Sequence, residues 1–453
     1  MKRMNKLLKF VQFRDTNNWS LSHLLKSDFI FNKEYKIISL DKVLRKADIE
    51  WVHIEDNNKY PILGVRSQGQ GVYLNRVALG KELTMKKYQK SKVNHLFYCK
   101  VRTVKGQWGI VYPEFENTYG SSNMQYLSID LTKILPEYLE LLLKIKPLTD
   151  NWDKNAIGAD GRHFNLSTLL KLKIPLPSSL NIQINIVKAY QDKLDLSILQ
   201  EEQAEEKEKE IEKYLYKELG IKISTKDNQK LLDFVNFKNI ERWDSIYLLD
   251  GNNIQSKYNL IPISNIINTF LKDLDNNSLR IDSKKYPTKD FKYIGMENIE
   301  KETGKLLQFQ DVKGIDIRST TVKLPKNFFL YGKLRPYLNK YYLNQHDEDN
   351  IIISSEFFVF SVKGINEQYF KYILSSSFIQ NQIENHMKGA RMPRIGEDTF
   401  KNLKIPLPSL EIQDEIVKYI DTLKDDIKDL KEQSIKNKSL ALEEFEKEIF
   451  NEA

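Results

Sequence analysis

The chain has a single cysteine, Cys99, in 453 residues. One thiol cannot close an intramolecular disulfide, which fits a reducing cytoplasm. Following Phe97 and Tyr98 in a strand-like run, Cys99 is expected as a small buried hydrophobe. No segment approaches the ~20 apolar residues of a membrane span. The opening Met1-Lys2-Arg3-Met4 is basic, but Val11-Gln12-Phe13-Arg14 breaks any apolar signal core. Catalytic signatures are missing too. There is no Walker loop, and no glycine-rich cofactor loop accompanied by an Asn- or Asp-Pro-Pro-aromatic motif. The histidines (His23, His53, His95, His163, His346 and His386) are scattered without metal-ligand spacing. The triplets nearest to a nuclease's acidic signature, Glu205-Glu206-Lys207 and Glu444-Phe445-Glu446-Lys447, fall in charged helices, where such triplets arise by chance. Together these absences favour a protein that binds.

What is present is a repeat. Leu172-Lys173-Ile174-Pro175-Leu176-Pro177 returns as Leu403-Lys404-Ile405-Pro406-Leu407-Pro408, 231 positions later. Each copy leads through a Gln (Gln183, Gln413) and an Ile-Val-Lys (Ile186–Lys188, Ile416–Lys418) into a long charged helix. Upstream, Phe10-Val11-Gln12-Phe13 with Trp19 is echoed by Phe234-Val235-Asn236-Phe237 with Trp243. One unit is written twice, and a duplicated reader suggests a target with two parts. Composition agrees: 41% hydrophobic and 29% charged residues fit globular blocks joined by solvated helices. Lysine and arginine outnumber the acids by 70 to 62, a mild positive balance compatible with a polyanion partner.

The expected fold is α+β, with two similar strand-rich domains joined by two long antiparallel helices about a pseudo-two-fold axis. Domains are expected at 1–180 and 229–409, spacer helices at 181–220 and 410–453, and a linker at 221–228. Tyr60–Val65, His95–Arg102, Phe291–Met296 and Ile351–Phe360 read as strands. Pro136–Lys144 and Glu367–Ser375 read as helices. Ile-Pro-Leu-Pro reads as an extended strap, because each proline removes a donor and constrains its predecessor. In the second long helix Ile416, Ile420, Leu423, Ile427 and Leu430 step by four and three, a heptad seam. About 35 residues at 1.5 Å rise give a rod of ~50 Å, or about 15 base pairs of duplex.

Basic, amide and aromatic residues gather in loop-like stretches. In the first block they are Arg66, Gln68, Arg76, Lys86, Lys87, Arg102, Lys105, Arg162 and His163. In the second they are Asn298, Lys333, Arg335, Tyr337, Lys340, Lys388, Arg391 and Arg394. These residue types read base edges and hold phosphates, although outside the two glycine turns each alone reads more readily as a solvated surface group. Gly158-Ala159-Asp160-Gly161-Arg162-His163 and Gly389-Ala390-Arg391-Met392-Pro393-Arg394 precede the two straps at matching places.

In this order (strand-rich block, basic glycine turn, Leu-Lys-Ile-Pro-Leu-Pro, Gln-x-x-Ile-Val, long helix, all twice) the chain resembles the specificity subunit of type I restriction–modification enzymes. The first copy departs at Asn181, where the second has Glu411, and at Asp160, where the second has Arg391. The two halves are therefore expected to make different contacts. The resemblance implies a non-catalytic cytoplasmic DNA reader whose two target recognition domains bind the halves of a split, asymmetric sequence. Its helices would dock two methylation subunits and, with them, the restriction motor subunits. S-adenosylmethionine, ATP and Mg²⁺ would belong to those partners; this chain would bind no cofactor. A self-contained nuclease would instead cut DNA with Mg²⁺ on its own, and a coiled-coil scaffold would show no salt-dependent DNA binding. Neither accounts for the duplicated order.

One expectation follows from the helices. Lengthening both in step by four residues, ~6 Å, widens the gap between half-sites by one or two base pairs and leaves their sequences unchanged. Methylation-site sequencing reads this directly; altered base identity would contradict it.

Overall fold

The computed structural model describes residues 31–67, 69–100, 106–145, 148–149, 166–224, 253–271, 280–281, 285–317, 321–384, 387 and 392–450. Both block openings (Phe10–Trp19, Phe234–Trp243) and most of the two glycine turns lie outside them. By contact density the chain divides into two units, one of Met1–Glu201 with Lys431–Ala453 and one of Glu202–Leu430. Each long helix contributes a segment to both.

In the first unit the strands are β1 (Lys36–Ser39), β2 (Leu44–Lys46), β3 (Trp51–His53), β4 (Lys59–Val65), β5 (Val72–Leu79), β6 (Lys87–Lys90), β7 (His95–Cys99), β8 (Trp108–Val111), β9 (Tyr119–Gly120), β10 (Met124–Ile129) and β11 (Lys173–Leu176). In the second they are β12 (Lys222–Ser224), β13 (Asn253–Gln255), β14 (Leu260–Pro262), β15 (Ile267–Phe270), β16 (Arg280–Ile281), β17 (Asp290–Ile294), β18 (Gln310–Lys313), β19 (Thr321–Lys323), β20 (Phe329–Gly332), β21 (Tyr341–Leu343), β22 (Ile351–Ile353), β23 (Phe357–Val362) and β24 (Lys404–Pro406). The long helices are Leu180–Leu219 and Leu410–Ile449.

Three sheets recur in both units, and the second adds the two-stranded sheet β12-β13. A four-stranded sheet runs β2-β10-β7-β8 in the first and β15-β23-β20-β21 in the second. A five-stranded sheet runs β3-β6-β9-β4-β5 and β16-β19-β22-β17-β18, with one parallel contact in each (β4 with β9, β17 with β22). A two-stranded ladder joins β1 to β11 and β14 to β24. The α+β duplication expected from sequence is therefore present at the level of strand order.

Each core is aromatic. Tyr98, Trp108 and Tyr138 fill the first, and Phe329, Tyr331, Phe360 and Phe370 the second. Burying one such ring is worth ~1.5–3 kcal/mol.

The straps organise both units through the same hydrogen bonds. Gln183, fully buried, accepts through Oε1 from the Leu135 N–H (2.8 Å) at the start of helix Pro136–Lys144. Gln413, equally buried, accepts from the Asn366 N–H (2.8 Å) at the start of helix Glu367–Ser375. The Tyr138 hydroxyl donates to the Pro175 carbonyl (3.2 Å), as Tyr369 does to Pro406 (2.8 Å). The Leu40 N–H reaches the Leu172 carbonyl and the Ile263 N–H the Leu403 carbonyl, both at 2.9 Å. A proline strap has too few donors to pair as a full strand, so tyrosine and glutamine side chains complete it.

The long-helix segments pair antiparallel within each unit. In the second unit Ile416, Ile420, Leu423 and Ile427 are buried as the heptad predicts, Tyr214 stacks on Tyr419 (4.0 Å), and Lys207 pairs with Asp426 (2.8 Å). In the first unit the seam turns polar. The Ser197 and Ser434 hydroxyls meet at 2.8 Å, fully buried, and Gln200 Nε2 donates to Gln433 Oε1 (3.0 Å).

Three local expectations change. Ile351–Phe360 is two strands in different sheets, because Ser354-Ser355-Glu356 turns the chain, with the Glu356 N–H bonded to Ser354 Oγ (3.2 Å). Lys222–Ser224, placed in a linker, is a strand paired with Asn253–Gln255. Cys99 is only half-buried, at the end of its strand.

Replacing Gln413 by leucine leaves the Asn366 N–H buried without a partner, and should cost ~1–3 kcal/mol. Denaturant unfolding measures it, and Gln183→Leu should behave alike in the first unit.

Candidate functional site

The four-stranded sheets bring basic residues to one place in each unit, the hairpin connection β7–β8 and its counterpart β20–β21. The registers coincide: Tyr98 faces Trp108 and Tyr331 faces Tyr341, so both connections have the same length. The Cys99 N–H bonds to the Gln107 carbonyl (3.0 Å) and the Gly332 N–H to the Lys340 carbonyl (2.8 Å). Each connection then turns through a left-handed residue, Gly106 (φ 66°) and Asn339 (φ 43°). Those carbonyls accept from the neighbouring β-hairpin, from the Gly69 N–H (2.8 Å) and the Glu302 N–H (3.1 Å).

This alignment reveals a correspondence 233 positions apart. Tyr98-Cys99-Lys100-Val101-Arg102 matches Tyr331-Gly332-Lys333-Leu334-Arg335. Lys100 and Lys333 thus follow equivalent strand ends, and in the sequence an arginine stands two residues after each. Of the pair's arginines, Arg335 is described and Arg102 lies outside the described residues. Burial pushes the Tyr98 hydroxyl up to about 12 and raises that of Tyr331 likewise, so both tyrosines stay neutral hydrogen-bonding groups.

In the second unit the structure assembles Lys333, Arg335, Tyr337 and Arg394. The Arg335 N–H donates to the Pro393 carbonyl (2.7 Å) and the Ile395 N–H to the Lys333 carbonyl (3.1 Å), joining the hairpin to the end of the basic glycine turn. Arg335 is exposed and holds a left-handed backbone (φ 48°), strain of order 1–3 kcal/mol for a side-chain-bearing residue. Arg394 makes an exposed ion pair with Glu356 (3.2 Å), and Tyr337 is 44% exposed. Two other expected contacts serve the fold instead. Asn298 is buried, its Oδ1 accepting from the Gly295 N–H (2.7 Å), and Lys340 Nζ donates to the Met296 carbonyl (2.6 Å). Lys388 and Arg391 lie outside the described residues.

In the first unit Arg66 sits 5.2 Å over the Tyr73 ring, a cation–π contact at the β4–β5 turn. Arg76 is exposed on the edge strand β5, in the exposed run Leu74–Val77. Gln68, Arg102, Lys105, Arg162 and His163 lie outside the described residues.

Residues 255–438 match the type I restriction modification DNA specificity domain. That stretch, in the second half of the chain, carries a domain of that specificity family. The solved HsdS subunit from Thermoanaerobacter tengcongensis aligns with 94% of this chain and 99% of its own, at 12% identity and a TM-score of 0.51. A chain from a structure concerning complex assembly and conformational transition of the type I R-M system aligns with 92% of this chain and 98% of its own, at 12% identity and a TM-score of 0.57. At such identities the likeness is one of fold. No curated protein matches the chain. A specificity subunit of this family is a non-catalytic DNA-recognition component of a type I restriction–modification system. Among the described residues no helix is long and apolar enough to cross a membrane.

The duplicated Lys-x-Arg escaped reading from sequence because the strands around it diverge. Only its Tyr-x-Lys-x-Arg spacing was a signal, and strand register was needed to recognise it.

The division of labour is testable. Asn298→Ala should lower stability by ~1–2 kcal/mol without changing the salt dependence of DNA binding. Arg394→Ala should leave the melting temperature near that of the parent and weaken DNA binding. The opposite pattern would reverse the two assignments.

Proposed function

We propose that this specificity subunit reads a bipartite, asymmetric DNA target, one half-site per strand-rich unit, in a cytoplasmic complex with two adenine-methylating subunits and, through them, restriction motor subunits. The observation that carries the reading is the shared sheet topology, with Lys100 and Lys333 at equivalent strand ends in the two units. Two copies of one scaffold suit two half-sites, and unlike loops on that scaffold suit unlike sequences. The long helices supply the docking surface. Leu196, Ile198, Leu199 and Ile435 are 45%, 49%, 48% and 68% exposed, apolar groups that the helix pairing leaves uncovered. Such groups on a charged helix favour a partner protein. S-adenosylmethionine, ATP and Mg²⁺ are assigned to those partners.

The test is methylated-adenine mapping in cells carrying the subunit with its methylation partner. Arg391→Ala and Arg394→Ala should relax the second unit's half-site by about 1–3 kcal/mol per lost base contact and leave the first unit's intact. The purified chain alone should neither methylate nor cut DNA. Change in both half-sites from one such variant, or turnover by the isolated chain, overturns the reading.

A further inference from the structure

Beside the Lys-x-Arg hairpin each unit has a cleft between its four- and five-stranded sheets, and the two clefts are built from equivalent positions. The first encloses about 410 Å³ and is lined by Gln89, Lys100, Ser122, Met124, Gln125 and Tyr126 among others. The second encloses about 350 Å³, with Val322, Lys333, Ser355, Phe357, Phe358 and Val359 in those places. The registers establish the correspondence. Met124 pairs with Cys99 as Phe357 does with Gly332, and Gln89 pairs with Gly120 as Val322 does with Ile353. The Lys100 N–H bonds to the Asn123 carbonyl (3.0 Å) and the Lys333 N–H to the Glu356 carbonyl (2.8 Å), fixing both lysines in the same way.

Two positions keep their chemistry, the lysine and the serine, while the strand positions between them differ. In the first unit Gln125 Oε1 accepts from the Tyr98 hydroxyl (3.0 Å), which orients the amide and leaves its Nε2 donors for a ligand. Lys46 and the exposed Trp51 complete that wall. In the second unit the strand positions are apolar, with Phe270, Leu271 and Phe357 around Phe358 and Glu397 also lining the cleft, and Lys333 Nζ sits 5.2 Å over the Phe358 ring and donates to the Ser355 carbonyl (2.9 Å).

We infer that the paired clefts are the reading sites of the two half-sites. Lys100 and Lys333 hold the DNA backbone at a phosphate, and the strand positions beside them select the base. This rests on the two-half-site reading above and adds where each half is read. A lysine kept at one register while its surroundings change is what a sequence-independent anchor beside a sequence-dependent selector requires. The Gln125 amide suits acceptors on a base edge in the major groove, whereas the apolar strand positions suit the thymine methyl group.

The experiment uses the full chain assembled with its methylation partners, binding duplex DNA of the mapped target over a salt series. Lys100→Gln and Lys333→Gln should each weaken binding to all sequences alike and reduce the slope of log affinity against log salt by about 1, and Lys333→Arg should restore the slope. Gln125→Leu should relax a single base position in the first unit's half-site by roughly 5- to 150-fold, leaving the other half unchanged. If the parent complex binds without salt dependence or half-site structure, the underlying reading fails. If the parent binds as described but both glutamine variants keep its affinity and slope, or Gln125→Leu changes no base preference, the clefts are not the reading sites.

Discussion

Everything in either unit hangs on the anchorage of a proline strap by buried side chains. The strap is where strands, short helix and long helix meet: it pairs with β1 in the first unit and β14 in the second, passes under a tyrosine from the short helix, and enters the long helix at a buried glutamine. Proline makes the segment extended and poor in donors, so it cannot be absorbed into either sheet. The glutamine amide then couples the long helix to the short one through backbone groups, which makes the joint insensitive to neighbouring side chains. Buried amides of this kind are costly unless satisfied, and both copies use each end of the amide. Gln183 Nε2 donates to the Lys133 carbonyl (2.9 Å) and Gln413 Nε2 to the Pro408 carbonyl (2.8 Å).

The helix seam adds a second kind of specificity. An all-aliphatic heptad seam tolerates a shift by one repeat, whereas a buried serine pair flanked by glutamines satisfies its hydrogen bonds in one register. Ser434 also donates to Glu201, which pairs with Lys438 (2.7 Å), so the polar layer is continuous out to the surface. The contribution to stability is small for such exposed pairs. Their effect is on the alignment of the two helix segments.

Much of this was legible in the sequence. The repeated Leu-Lys-Ile-Pro-Leu-Pro located the straps, proline chemistry gave their extended form, and the four-three stepping of Ile416 to Ile427 gave the seam. Strand runs such as Tyr60–Val65 were visible because aromatic and branched residues cluster in them. The site was less so. Asn298 has the chemistry of a base reader yet is consumed by a local turn, and a sequence does not distinguish the two uses of one amide. Ile351–Phe360 looked continuous because nothing in its composition announces that consecutive strands belong to different sheets. The lysine pair emerged only from strand register, since its neighbours Cys99 and Gly332 share no side-chain property.

The first unit's core contains Phe445 and Ile449 alongside Tyr138, Trp108 and Leu44. During synthesis, therefore, that unit stays unfinished while some 250 further residues, including the whole of the second, emerge from the ribosome. The second unit has every strand and both its helix segments by residue 430 and can close first. The order of completion in time is thus the reverse of the order in sequence. A chain released early would carry one finished unit beside an open core.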